Sequence, residues 1–265
     1  IVIVFLDFVF VFFFVIFVIS MASIMYKKRS VSFPSKAHPS ISKVEEELDK
    51  LKTWEMSATS TSESLGVALS GLENLYFSLE LVLGLQSVQQ ILCSQGTFVE
   101  EMLDESVRLI DVCETSRHLL CCYKESLREV ESAVRRRRGD AAIGEHVSFR
   151  KRMRKEARKM MLSLPKKAAG KMNEFLAEDE EESFSTVARV LGEVNTANMR
   201  LFNSMLAFMS SSSSKWALAS KNDACQNEFE RVEAALKDGS LENLGFEKRI
   251  ENLEHLLECV SRRLI

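Results

Sequence analysis

The run "TFVEEMLDESVRLIDVCETSRHLLCCYKESLREVESAV", residues 97–134, determines which class of fold this chain can adopt. Its apolar residues recur at steps that place them on one face of a helix, and neither proline nor glycine interrupts them. The pattern predicts one helix of about 40 residues, roughly three times the average length in globular proteins, which needs partner helices along its whole length. The predicted core face consists of Leu103, Val107, Ile110, Cys113, Leu120, Tyr123, Leu127, Val130 and Val134.

The same periodicity recurs through the rest of the chain. Only ten glycines and three prolines are present, and Pro165 is the single proline between Ser40 and Ile265. No segment alternates with the period of two that is typical of strands. The sequence therefore predicts an all-α domain over 41–265, a bundle of long antiparallel helices. The further stripes are Leu65, Leu69, Leu72, Tyr76, Leu79 and Leu83; Met153, Ala157, Met160 and Leu164; Phe184, Val187, Leu191, Val194, Leu201, Met205 and Phe208; Phe229, Val232 and Leu236; and Phe246, Ile250, Leu253, Leu257, Val260 and Leu264.

Local signals mark where some of these helices start and end. "SKVE" at Ser42–Glu45 and "TFVE" at Thr97–Glu100 have the form of a capping box, in which the first and fourth side chains satisfy backbone N–H groups. Pro165 is expected to end or kink the helix before it. These signals predict helices that begin at Ser42 and at Thr97.

Residues 1–20 are almost wholly apolar, with Asp7 as the one charged residue. Twenty helical residues would cross a hydrocarbon core of about 30 Å. One interpretation is a single-pass anchor, and the basic residues Lys27, Lys28 and Arg29 then place the body in the cytosol. A cleaved signal is disfavoured because no basic region precedes the run. The other interpretation is a translated leader with Met21 as the true start, which also gives a cytoplasmic body.

Residues 21–40 are rich in Ser, Lys and Pro and lack an apolar period. We expect this segment to be a flexible basic arm rather than part of the bundle.

Charge is distributed unevenly although the net charge is only −3. Between Arg135 and Lys171 there are fourteen basic residues and three acidic ones, and an acidic run at Glu178–Glu182 follows. Three interpretations stay open: a solvated face, contact with an anionic membrane surface, and nuclear import or nucleic-acid contact. Nucleic acid ranks last because Phe149 is the one aromatic residue in the segment. The candidate contact residues are Arg135, Arg136, Arg137, Arg138, Arg150, Lys151, Arg152, Arg154 and Lys155.

Enzymatic signatures are not found. "GDAAIGEH" at Gly139–His146 has the glycine spacing of a phosphate-binding loop, but Glu145 occupies the position of the required lysine. The strongest metal candidate, His118 with Cys122, does not supply the four ligands of a zinc site, and burial as a small apolar side chain is the favoured role of Cys113. No catalytic residue, metal or cofactor is predicted. Six cysteines without C-x-x-C spacing indicate a reduced, cytosolic protein.

Five stretches resemble a plant-specific family of unknown molecular function related to the BYPASS proteins of root and shoot development. They occur in the order in which the family has them and extend over residues 29–265. The resemblance implies an all-α protein without an assigned enzymatic activity and supplies no catalytic residues. The stretches are "RSVSFPSKAHPSISKVEEELDKL" (Arg29–Leu51), "SGLENLY" (Ser70–Tyr76), "RLIDVCETSRHLL" (Arg108–Leu120), "LREVESAVRRRRGD" (Leu127–Asp140) and "ECVSRRLI" (Glu258–Ile265).

These observations together predict a non-enzymatic protein that binds protein partners through its helical surfaces, with contact to an anionic membrane surface through the basic segment. A single-pass membrane protein with a cytosolic helical body is the alternative. An enzyme with an unrecognised site between helices is a third, and it requires clustered polar side chains in a pocket.

Overall fold

A computed structural model of the chain describes residues 39–57, 61–136, 139–164, 182–211 and 227–237, and in the C-terminal segment residues 251, 252, 254–256, 258 and 259. These residues form helices and short turns without a strand, so the all-α prediction is confirmed. The predicted segment 1–20 and residues 21–38 of the predicted arm 21–40 lie outside the described residues, whereas Pro39 and Ser40 belong to the first helix. The helices are α1 (Pro39–Ser57), α2 (Ser62–Leu83), α3 (Gln86–Ser94), α4 (Gly96–Arg135), α5 (Gly139–Ser163), α6 (Glu182–Ser210) and α7 (Glu228–Lys237).

Helix α6 is the central helix of the bundle. It packs against α1, α2, α3, α4 and α5, and for this reason its apolar side chains are buried around most of its circumference. Every member of its predicted stripe is buried, and Phe202, Leu206 and Met209 are buried as well. Near its start, Phe184 meets Phe98 of α4 edge to face, with the ring centroids 5.3 Å apart.

Helix α4 is 40 residues long, as predicted, but the predicted core face is wrong in its first half. Leu109, Val112 and Cys113 are buried there, whereas Val107 is 49% exposed and Leu103 38% exposed. Steps of three and four residues fit more than one face of a helix. In this half of α4 the neighbouring helices cover the face that carries Leu109 and Val112. From Leu120 to Val130 the predicted residues are buried.

Both predicted capping boxes are wrong about where the helix begins. Helix α1 begins at Pro39, whose fixed backbone angle suits the first helical position, so Ser42 lies inside the helix. Helix α4 begins at Gly96 after Gln95, which makes no side-chain cap hydrogen bond. The cap at the start of α2 is Thr61, whose hydroxyl accepts a hydrogen bond from the Ser64 N–H at 3.2 Å.

Not every neighbouring pair of helices is antiparallel. Helices α1 and α2 form a helical hairpin, and Trp54 Nε1 donates a hydrogen bond to Ser64 Oγ at 2.9 Å across it. Helices α1 and α6 run in the same direction, as three ion pairs between them show: the residue number rises along both helices from one pair to the next. The pairs are Glu45 with Arg189 (2.6 Å), Lys52 with Glu193 (3.0 Å) and Glu55 with Arg200 (2.9 Å).

Among the helices within the described residues, α2 alone is both long enough and apolar enough to cross a membrane. In the bundle, 56% of its most apolar window is buried. Its buried residues include the predicted stripe from Leu65 to Leu79. Packing against α1 and α6 thus accounts for the high hydropathy of this helix.

Candidate functional site on the basic helix

Helix α5 divides into a buried face and a basic face. The stripe Met153, Ala157, Met160 is buried as predicted, and Leu164 just beyond the helix is buried too. The opposite side of the helix carries exposed cations, because residues 151, 155 and 158 recur at the spacing that keeps one face in line. We call Lys151, Arg152, Lys155, Arg158 and Lys159 the outer basic face.

Most of these charges are not neutralised by the bundle. Within the described residues, Lys151, Arg152 and Lys155 form no ion pair, and the Arg152 guanidinium lies 6.0 Å from the centroid of the Phe149 ring. Lys159 contacts Glu156 on its own helix at 3.4 Å, and Arg158 reaches the Ser210 carbonyl at 3.5 Å. The outer basic face therefore retains positive charge for a partner outside the bundle.

Four basic side chains surround one shallow depression on this side of the helix. Lys151, Arg154, Lys155 and Arg158 line a surface concavity of about 280 Å³. Converging ammonium and guanidinium groups suit anionic oxygens such as those of phosphate.

An exposed leucine continues the same stripe. Leu162 is 75% exposed and follows Arg158 by four residues, so it lies one turn further along the outer basic face. An apolar side chain beside a row of cations is typical of helices that lie on a lipid surface.

The arginines at the end of α4 are a separate feature. Arg135 and Arg136 are exposed, and Arg135 lies 3.7 Å from Glu131 one turn earlier. Lys151 is twelve residues beyond the start of α5, which corresponds to about 18 Å of helix. Arg137 and Arg138 lie outside the described residues.

Arg150 corrects the predicted site, because it belongs to the interior and not to the surface. Its side chain is 1% exposed, and its Nε donates a hydrogen bond to Glu233 of α7 at 3.0 Å. Its two terminal nitrogens donate to the carbonyls of Met209 and Ser211, the latter at 3.0 Å. One guanidinium thus fastens α5 to the end of α6 and to α7, and burial lowers its pKa to about 10.

Arg154 occupies an intermediate position between the surface and the interior. It is partly buried and forms an ion pair with the same Glu233 carboxylate. Its role in the bundle is therefore shared with Arg150, while its side chain still borders the basic depression.

A second buried polar residue, His146, lies one turn before Arg150. Its Nδ1 is 3.0 Å from the Ser126 hydroxyl of α4, and its ring packs against Tyr123 with centroids 5.1 Å apart. Burial lowers the pKa of His146 to about 4, and the nearby Arg150 charge acts in the same direction. The imidazole is therefore neutral at physiological pH.

Sequence reasoning missed this internal network although the signal was present. Counting back from Met153 by three residues gives Arg150, and by four more gives His146, so both lie on the apolar stripe of α5. A charged residue in the register of a core stripe indicates a buried partner elsewhere in the chain.

Of the cysteines, Cys113 is the one that the sequence favours as a buried residue. Cys113 is buried, and burial raises the pKa of its thiol well above the usual range. Cys122 Sγ lies 3.6 Å from His118 Nε2 on the surface of α4. Among the described residues, no three His, Cys, Asp or Glu side chains come together in a way that could hold a metal ion.

Comparison with known proteins gives one family match. The family model described as Protein BPS1 matches residues 68–265. No curated protein and no solved structure matches the chain. The matched range includes α4, α5, α6 and α7, and with them the outer basic face and the network around Arg150.

Proposed function

We propose that this chain, which belongs to the Protein BPS1 family, is a non-enzymatic helical interaction protein that acts in root and shoot development of plants. The resemblance to the BYPASS proteins supports the developmental part of the proposal. In this proposal the helical body lies in the cytoplasm and binds protein partners through its helical surfaces. It brings these partners to an anionic membrane surface.

The observation that carries the membrane contact is the composition of the outer basic face. Lys151, Lys155 and Arg158 point away from the core together with the exposed Leu162. Each basic residue near an anionic leaflet contributes about 1 kcal/mol, so a few of them give reversible, salt-sensitive binding. Arg150 is buried and does not contribute to this face, but the remaining exposed basic residues are enough for such binding.

Vesicle binding by the full chain tests the contact. We expect co-sedimentation with vesicles of phosphatidylcholine and phosphatidylserine, weaker binding to phosphatidylcholine alone, and release by high salt. The combined substitution Lys151→Gln, Lys155→Gln and Arg158→Gln is expected to abolish the preference for phosphatidylserine. Equal binding by this variant and the unchanged chain would contradict the proposal.

A matched control removes the same charge elsewhere. Arg108, Arg117 and Arg128 are surface residues of α4 that form ion pairs with Glu105, Glu114 and Glu251, in that order. Their combined change to Gln is expected to leave the preference for phosphatidylserine intact, since the outer basic face is unaltered.

The apolar run at residues 1–20 supports a second candidate, a single-pass anchor that holds the helical body in the cytosol. Fractionation of the endogenous protein separates the two. Resistance to carbonate extraction supports the anchor, whereas release by salt supports electrostatic docking.

A further inference from the structure

A groove lies where α2, α3, α4 and α6 meet. Its volume is about 730 Å³, within the range of about 300–1,000 Å³ that small-molecule sites occupy. Its walls are mainly apolar, and they include Leu79, Phe98, Met102, Leu109 and Leu191. Leu103 of α4, which is partly exposed, also lines the groove.

Two buried amides lie among these apolar side chains. Asn195 and Asn198 of α6 line the groove, and each is 3% exposed. The Oδ1 atoms of both have no hydrogen-bond partner among the described residues. A buried acceptor without a partner costs about 1–3 kcal/mol, so both amide oxygens favour a bound molecule that supplies donors.

The remaining polar groups in the groove favour the same chemistry. Burial raises the pKa of the Tyr76 hydroxyl well above its usual range and outweighs the opposite effect of a hydrogen bond with the Asn198 side chain, so Tyr76 stays neutral. Glu80 and Glu105 also line the groove, and the Glu105 Oε2 atom is a further buried acceptor without a partner in the described part of the chain. Among the described residues that line the groove there is no Lys or Arg, so this lining disfavours an anion.

We infer that this groove binds an amphipathic small molecule, with an apolar body and a neutral or cationic hydrogen-bond donor such as a hydroxyl or an amine. The donor meets the amide oxygens of Asn195 and Asn198, and the apolar body lies against Phe98, Met102 and Leu109. This inference is independent of the membrane contact, because the groove shares no residue with the outer basic face.

Displacement of a fluorescent probe from the full chain tests the inference. The probe is N-phenyl-1-naphthylamine, an apolar fluorophore with one N–H donor. Three competitors with unbranched alkyl chains of nearly equal length differ in their head groups: 1-decanol donates a hydrogen bond, 1-methoxydecane does not, and decanoate is an anion. We expect 1-decanol to displace the probe at a concentration at least tenfold lower than either of the others.

Two variants assign the binding to the groove. The combined change Asn195→Leu and Asn198→Leu removes both acceptors and is expected to eliminate the advantage of 1-decanol over 1-methoxydecane. Met102→Trp fills the groove and is expected to weaken probe binding at least fivefold. Asn203→Leu is the control, because Asn203 is on α6 but does not line the groove.

The proposal predicts that the double variant is still folded. The double variant loses the hydrogen bond between the Asn198 side chain and Tyr76 but also removes two unpartnered buried acceptors, so its thermal midpoint is expected to stay close to that of the unchanged chain. Equal displacement by 1-decanol and 1-methoxydecane in the unchanged chain would overturn the inference. Unaltered probe binding in the Met102→Trp variant would overturn it as well.

Discussion

The Arg150 guanidinium lies over the face of the Phe229 ring, with Cζ 4.1 Å from the ring centroid. Phe229 in turn meets Tyr123 edge to face at 4.8 Å and Phe208 at 4.9 Å. A cation held against a buried aromatic ring gains electrostatic energy from the ring face in addition to its ion pair. This contact joins α5 to α7 at the centre of a polar network that is enclosed by apolar side chains.

Arg150→Ala is expected to destabilise the fold by about 3–5 kcal/mol. The change leaves Glu233 without one of its two cations and the carbonyls of Met209 and Ser211 without their donors. Urea unfolding followed by circular dichroism measures the loss. Arg152→Ala, two residues away and exposed, is the matched control and is expected to change stability by less than about 0.5 kcal/mol.

Mild acid is expected to destabilise the protein through His146. The unfolded chain takes up the imidazole proton near pH 6.5 and the folded chain only near 4. Stability from this group is therefore complete above pH 6.5 and is lost as the pH falls from 6.5 toward 4, with a loss of about 2 kcal/mol by pH 5. Urea midpoints measured between pH 7 and 5 test this expectation.

His146→Gln is the variant that isolates this effect. Glutamine keeps a polar group beside Ser126 but does not titrate. We expect the variant to lose less stability than the unchanged chain between pH 7 and 5. An identical pH dependence in both would show that another group is responsible.

Thiol labelling is expected to separate two of the cysteines. Cys93 is exposed and Cys113 is buried with a raised pKa, so little of the Cys113 thiolate forms in the folded state. Under native conditions iodoacetamide should modify Cys93 at least tenfold faster than Cys113, as read by peptide mass spectrometry. In 8 M urea the two rates should converge.

Ser62→Ala is expected to cost about 1–2 kcal/mol, because it removes one of two hydrogen bonds to a buried carboxylate. The Ser62 N–H and hydroxyl donate to Glu228 Oε1 at 3.0 and 2.8 Å, and both residues are buried. Ser57→Ala serves as the control, since the exposed Ser57 hydroxyl bonds only to carbonyls of its own helix. Equal urea midpoints for the two variants would contradict this expectation.

The apolar stripes allowed most of the fold to be predicted. In α2, α6 and the second half of α4, nearly all the residues that the spacing assigns to the core are buried, because the apolar stripe there coincides with the face that the neighbouring helices cover. Helix starts were predicted poorly. The residues that form the capping pattern, Ser42–Glu45, lie inside α1. Glu45 does not cap the helix but forms an ion pair with Arg189 of α6, about 140 residues later in the chain.

The candidate sites were less predictable, because they depend on contacts between distant segments. Lys151, Arg152 and Lys155 are exposed, as a surface site requires. Arg150 lies in the register of the core stripe, but the sequence alone does not identify its partner Glu233, which is 83 residues away. The groove could not be predicted at all. Asn195 and Asn198 look like ordinary helix residues until the packing of α3 and α4 leaves space beside them.

The attachment of α7 has a consequence for synthesis of the chain on the ribosome. Its Glu228 and Glu233 carboxylates bind residues of α2 and α5 that are translated much earlier. At roughly 5–20 residues per second, the 83 residues between Arg150 and Glu233 correspond to about 4–17 seconds. During that interval the nascent bundle holds a guanidinium whose carboxylate has not yet been made, so the final closure of the fold awaits the arrival of α7.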